Sequence, residues 1–205
     1  LLDTLNEKYC ISLCCERTES NNILTLTVND EQASYDATSY LIELGHTNIG
    51  MVSIGIEGET IFSALDREKG YKKALKDHNI PLDERLIYRG SYDYSSGEKA
   101  MEYFLTLENV PTGVFAISDL LAMGVIRKAI ENNLCVGKKF SVMGFDNISL
   151  SETFIPSIST VEQPCKQIGN DILNMTVDNL IKKDTHTGRH FAKHRLVFRE
   201  STQKD

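Results

Sequence analysis

No apolar run among the 205 residues approaches the ~18 needed to cross a bilayer, so nothing in the chain reads as a membrane span. Basic residues are not in surplus either. Lys and Arg number 22 against 29 Asp and Glu, giving a formal charge of −7 and a pI near 5.3. A nucleic-acid clamp needs clustered cations, so any DNA contact has to come from something outside this chain. Cys-x-x-Cys pairs are missing. The five cysteines, Cys10, Cys14, Cys15, Cys135 and Cys165, are odd in number, which favours free thiols in a reducing, cytoplasmic setting over a disulfide framework or a zinc site. As small apolar residues they are expected to be buried in strands and helices. No G-x-S-x-G elbow, H-E-x-x-H pair or Walker loop occurs, and the spacing of Gly55 and Gly58 fails the dinucleotide fingerprint. His190 and His194 are four apart, but in a stretch read as loop passing into strand. Catalytic residues, metal and cofactor are therefore all expected to be none. No signal peptide is visible in a chain that begins Leu1-Leu2-Asp3.

What is present is an alternation of strand-like and helix-like segments, the pattern of a parallel α/β sheet. Residues 1–8 read as the tail of a helix, 9–15 and 23–28 as strands. Asn29 or Asp30 caps a helix with Ala33, Ala37, Tyr40, Leu41 and Leu44 on one face, stopped by Gly45. Strands are expected at 49–54, 86–88, 113–117 and 140–144. Helices are expected at 63–78, 94–107 and from Ser118 onward, the last with Ala122, Val125, Ile126, Ala129 and Ile130 inward. A short strand near 159–161 precedes Pro164, which opens a helix to about residue 183 with Ile168, Ile172, Val177 and Leu180 as its core face. Residues 185–193 read as a polar loop and 195–199 as a final strand. A doubly wound unit normally begins with its central strand, so a chain opening on a helix tail implies that the front of one unit is absent.

Three polar clusters follow strands: the loop after Ile54 leading to Ser63 and Asp66-Arg67, then Ser118-Asp119, then Asp146-Asn147. Neighbouring strand ends on a parallel sheet share one edge, where ligands of open α/β sheets bind. Arg67 offers a rigid fork of donors and Asp146 a pair of acceptors. With Tyr92 or Tyr94 as a stacking face, this mixture suits a polyol, sugar or nucleobase. Simpler roles compete. Arg67 can pair with Asp66 or Glu68 at the surface, Asp119 reads as a helix cap or first-turn charge, and Asp146-Asn147 is a common turn pair.

Taken together, several stretches resemble the effector-binding domain of the lactose-repressor/galactose-repressor family of bacterial transcription regulators. They are residues 41–46 before the strand at 49–54; Arg67 to Leu75; Val114 to Gly124, which contains Ser118-Asp119; Ser141 to Asn147, which contains Gly144-Phe145-Asp146-Asn147; Pro156 to Pro164; and Val197 to Thr202. The resemblance implies a periplasmic-binding-protein-like (type I) fold of doubly wound parallel sheets. Residues 29–163 with 193–205 would form a complete C-terminal subdomain, and 1–28 with 164–192 part of the N-terminal one. It also implies a small-molecule effector, a sugar or sugar derivative, held by Ser63, Arg67, Tyr92, Ser118, Asp146 and Gln163. A homodimer and operator DNA, reached through an N-terminal domain absent from this chain, would be the partners. Ser118 departs from the asparagine common in sugar-responsive members. Val136-Gly137-Lys138-Lys139 lacks the usual proline, which should loosen only a surface turn. The rival reading is a periplasmic sugar-binding component of a transport system.

Overall fold

The computed structural model describes residues 2–16, 18–55, 60–182 and 186–203. In chain order the elements are α1 (Leu2–Asn6), β1 (Ser12–Cys14), β2 (Leu24–Val28), α2 (Asp30–Glu43), β3 (Ile49–Ile54) and α3 (Phe62–Asp77). A 3-10 turn at Glu84–Leu86 leads to β4 (Ile87–Gly90), α4 (Tyr94–Leu105), β5 (Gly113–Ala116), α5 (Asp119–Glu131) and β6 (Ser141–Asp146). Then come α6 (Ser149–Thr153), β7 (Ser159–Glu162), α7 (Cys165–Ile181), β8 (Arg189–Ala192) and β9 (Arg195–Val197).

The chain divides into two compact units. The larger comprises residues 30–162 and 195–205, the smaller residues 1–29 and 163–194. In the larger unit six strands run in the order β4-β3-β5-β6-β7-β9, parallel except for β9 against β7. β5 is buried at every position, as a strand covered on both faces must be, which accounts for its unbroken apolar reading. Helices pack in pairs, α2 with α3 and α4 with α5. The second pair touches through glycines. A Cβ on Gly97 would stand 2.2 Å from the Leu121 carbonyl oxygen, and one on Gly124 would stand 2.1 Å from that of Tyr94. Phe104, Phe115, Phe145 and Tyr71 fill the core.

The smaller unit has three parallel strands in the order β1-β2-β8, with α7 packed on β1 and β2. Here the sequence misled in two ways. Residues 189–192, expected as loop, form β8. Val177 and Leu180, expected as core, are 40% and 63% exposed, and only Ile168 and Ile172 of that stripe are buried.

Smaller corrections concern the larger unit. Ile130, expected inward, is 44% exposed. The strand expected at 86–88 starts a residue later and runs to Gly90, and the connection before Pro156 contains α6. Four of the cysteines are exposed and Cys15 is half-buried, so none is the buried apolar residue expected. Gly137, in the segment lacking proline, has φ of +93°, pairs with Thr202 and accepts from the Gln203 amide. That turn is tied down rather than loose. Gly58 of the glycine-bearing loop, and the end of the expected helix at residue 183, lie outside the described residues.

Candidate functional site

The strand order reverses beside β3. From it the chain passes to β4 on one side, then to β5 on the other, leaving a crevice at the carboxyl ends of β3 and β5. Such switch points are where open α/β sheets hold ligands. Arg67, on the second turn of α3, reaches across this crevice although its residue is almost fully buried. Its Nε donates to Asp30 Oδ1 at 2.8 Å and its Nη1 to the Ile117 carbonyl, just beyond β5, at 2.5 Å. The guanidinium carbon lies 3.5 Å from the centre of the Phe145 ring, a cation–π stack, and Nη1 is 4.0 Å from Asp146 Oδ1. The surface pairing with Asp66 or Glu68 does not occur. Asp66 takes Lys69 at 2.9 Å, while Glu68 takes Arg89 and Lys72.

Asp146 ends β6 with φ of +107°, and Asn147 follows at +54°. Non-glycine residues seldom hold such angles unless neighbours fasten them. The fastening is visible. The Asn147 amide donates to Thr160 Oγ1 at 3.3 Å, Arg199 Nη2 donates to Asn147 Oδ1 at 2.8 Å, and the Ile148 amide donates to Asp119 Oδ2 at 2.9 Å. Asp119 also accepts from the Thr160 hydroxyl at 2.6 Å and is fully buried. Burial pushes its carboxyl up to about 7 against those two hydrogen bonds. Of the two roles expected for it, Asp119 fills the second, the acidic residue in the first turn of α5, and not the cap. Ser118 caps α5, accepting from the Leu121 amide at 3.3 Å, and Asp119 anchors the β6 tip.

Tyr92, two residues past β4 and 49% exposed, donates its hydroxyl to Asp146 Oδ2 at 3.0 Å. Burial, then the Asp146 charge, pushes its phenol up to about 12, and its hydroxyl also interacts with Ser118. Asp30 is raised above the ordinary carboxylate range by burial, an effect Arg67 partly offsets.

The structure thus brings together Arg67, Tyr92, Ser118 and Asp146. Ser63 sits one helical turn before Arg67 on the same face of α3. Gln163 is the first residue of the smaller unit where the chain leaves Glu162. Tyr94, the alternative stacking residue, stands among Glu98, Arg127, Lys128 and Glu131 instead. Sequence reasoning missed two parts of the cluster. Asp30 was read only as a possible cap, and the Phe145 ring was given no role of its own. The first is 37 residues from Arg67 with nothing in the sequence to pair them. The second adjoins Asp146 and was open to notice.

Comparison with known proteins agrees with this architecture. The profile of the periplasmic binding protein-like domain matches residues 38–202. The HTH-type transcriptional repressor PurR of Vibrio atlanticus is 32% identical over 91% of this chain and 54% of its own length. A transcription regulator from Lactobacillus plantarum superposes with a TM-score of 0.90 at 27% identity, over 99% of this chain and 76% of that one. A sugar-binding transcriptional regulator of the LacI family from Escherichia coli, solved with phosphate, gives 0.87 at 25%, over 100% and 73%. The chain belongs to the periplasmic binding protein-like domain family, in the form that LacI-family regulators carry. It spans about half the length of the curated relatives it matches.

Proposed function

We propose that this chain is the effector-sensing part of a bacterial transcription regulator, and that its effector is a sugar or a similar small polar molecule. The observation that carries this reading is Arg67 held across the switch-point crevice beside Asp146. Two of the guanidinium's five N–H donors go to Asp30 and Ile117, and Asp146 and Tyr92 add an acceptor and a half-exposed aromatic ring. A donor fork, a carboxylate and a ring face together suit the hydroxyls and the flat apolar side of a sugar. In this reading Arg67 and Asp146 grip hydroxyls, Tyr92 stacks on the ring, and Ser63 and Ser118 contribute secondary contacts. The larger unit corresponds to the C-terminal effector-binding subdomain and the smaller to part of the N-terminal one.

An effector shifts the regulator only by preferring one of its conformations. That preference would reach paired DNA-binding heads on a palindromic operator, so the regulator acts as a cytoplasmic homodimer and its DNA contacts lie in a separate domain. The names of the relatives support this role over a transport component, which shares the fold, and over an enzyme. The test is a thermal-shift screen of the complete regulator against a sugar library, followed by titration of the hits with operator DNA bound. A hit that changes operator affinity, and is weakened about 100-fold by Arg67→Ala, is the expected result. A hit bound equally well by the variant would move the site elsewhere.

A further inference from the structure

At the crevice Arg67 stands against two carboxylates of the larger unit. Asp30 Oδ1 takes its Nε at 2.8 Å, and Asp146 Oδ1 lies 4.0 Å from its Nη1. The charge of the guanidinium is therefore more than balanced within the protein. Other cations do not restore a surplus. Lys69 of α3 goes to Asp66 at 2.9 Å, and Lys72 to Glu68 at 3.0 Å and Glu84 at 2.7 Å. Arg199 gives Nη2 to the Asn147 side chain and Nη1 to the Ile158 carbonyl, each at 2.8 Å.

Anionic ligands are commonly gripped at helix N-termini, where unpaired N–H groups and the helix dipole favour negative charge. Here those places are taken by the protein's own carboxylates. α2 opens on Asp30-Glu31, and α5, two residues past the Ile117 carbonyl that Arg67 binds, opens on Asp119. Asp30 thus combines an arginine and a helix start, as a bound phosphate would. Its side chain is only 11% exposed. Burial raises its carboxyl and Arg67 is what opposes that, so loss of the partner leaves a buried charge or forces uptake of a proton. Either outcome counts against an anion that draws Arg67 away.

We infer that Asp30 makes this site selective for effectors with no acidic group: polyhydroxyl molecules without phosphate or carboxylate. The inference rests on the reading of the crevice as the effector site and narrows the class of molecule it takes. Asp30 is a positioning residue that acts through Arg67. It occupies Nε, holds the guanidinium over the Phe145 ring and offsets its charge, leaving donors suited to neutral hydroxyls. Asp146 supplies the matching acceptor and repels an anion by its own charge. Discrimination is built from a repulsive element as well as an attractive one.

Inorganic phosphate is the probe, because it reads the charge rule without knowledge of the effector. The Nε–H signal of Arg67 is followed by proton–nitrogen correlation NMR at neutral pH and constant ionic strength, identified as the arginine signal missing from Arg67→Lys. In wild type, millimolar phosphate should leave it in place. In Asp30→Asn, which keeps an oxygen for Nε and removes the charge, it should shift saturably, with phosphate bound at least about 10-fold more tightly. A saturable shift in wild type as strong as in the variant, or no gain in folded Asp30→Asn, overturns the assignment. Asp30→Ser, a second neutral replacement, gives the same reading where the first variant folds poorly. The sugar screen, run with each sugar beside its phosphate ester, keeps the two readings apart. Each hit should favour the free sugar by about 100-fold, and by about 10-fold in Asp30→Asn. An ester bound more tightly than its parent sugar overturns the charge rule and leaves the effector site standing. With no hit at all the effector site falls, and the phosphate titration alone decides the charge rule.

Discussion

The two units of this molecule carry similar apolar patterns and use them differently. In the larger, α5 buries nearly all of its stripe, and β5 between β3 and β6 is sealed on both faces. In the smaller, α7 has an equally regular stripe, yet Leu173, Val177, Leu180 and Ile181 stay exposed and the sheet has three strands. Helical spacing decides which side chains share a face. Whether anything covers that face depends on how many layers the rest of the chain supplies.

This contrast can be broken or sharpened by mutation, with unfolding in urea followed by far-UV circular dichroism because the chain has no tryptophan. The largest effect is expected for Phe115→Ala in the larger unit, a loss of about 3–5 kcal/mol for a fully buried ring. Arg67→Ala should cost about 3 kcal/mol, because it strands the buried Asp30 carboxylate. Burial raises Asp30, so its favourable contribution is present below the unfolded pKa and lost as pH rises through the folded one. The Arg67→Ala defect should accordingly be greater at pH 8 than at pH 5.

Asp119→Ala should cost about 2 kcal/mol by leaving the Ile148 amide and Thr160 hydroxyl unpaired. Asp119 is raised to about 7, so wild type gains stability from this group as pH falls from 7 toward 4. The variant lacks that gain, and the gap between the two should widen in acid, opposite in sense to Arg67→Ala. The smallest effect belongs to the smaller unit. Leu180→Ala should stay within about 0.5 kcal/mol, since that side chain is already in water. A cost near 3 kcal/mol there would show α7 to be covered and would erase the contrast. Hydrogen exchange gives an independent view: amides of β5 and β6 should exchange only on global unfolding, and those of β1 and α7 by local opening.

How much was legible follows the same physics. The larger sheet could be read because covered parallel strands are apolar almost throughout, as in residues 113–117 and 142–145. Arg67 and Asp146 were legible because polar residues just beyond such strands have few reasons to be there. β8 escaped notice because Arg189-His190-Phe191-Ala192 forms an edge of a small sheet and needs no apolar run. The Asp30 partner of Arg67 escaped because pairing across 37 residues leaves no trace in spacing. Asp119 was legible as a first-turn charge, but its anchoring of the β6 tip escaped because both roles suit the same residue type. Only the Thr160 and Ile148 contacts separate them.

The account rests on Arg67 and Asp146 forming one polar rim at the crevice between β3 and β5. A structure of the complete regulator with a sugar effector bound tests this most directly. The prediction is ligand hydroxyls within hydrogen-bonding distance of both the Arg67 guanidinium and the Asp146 carboxylate, with the Tyr92 ring against the sugar. A ligand seated at the opposite, amino-terminal edge of the six-stranded sheet would contradict it.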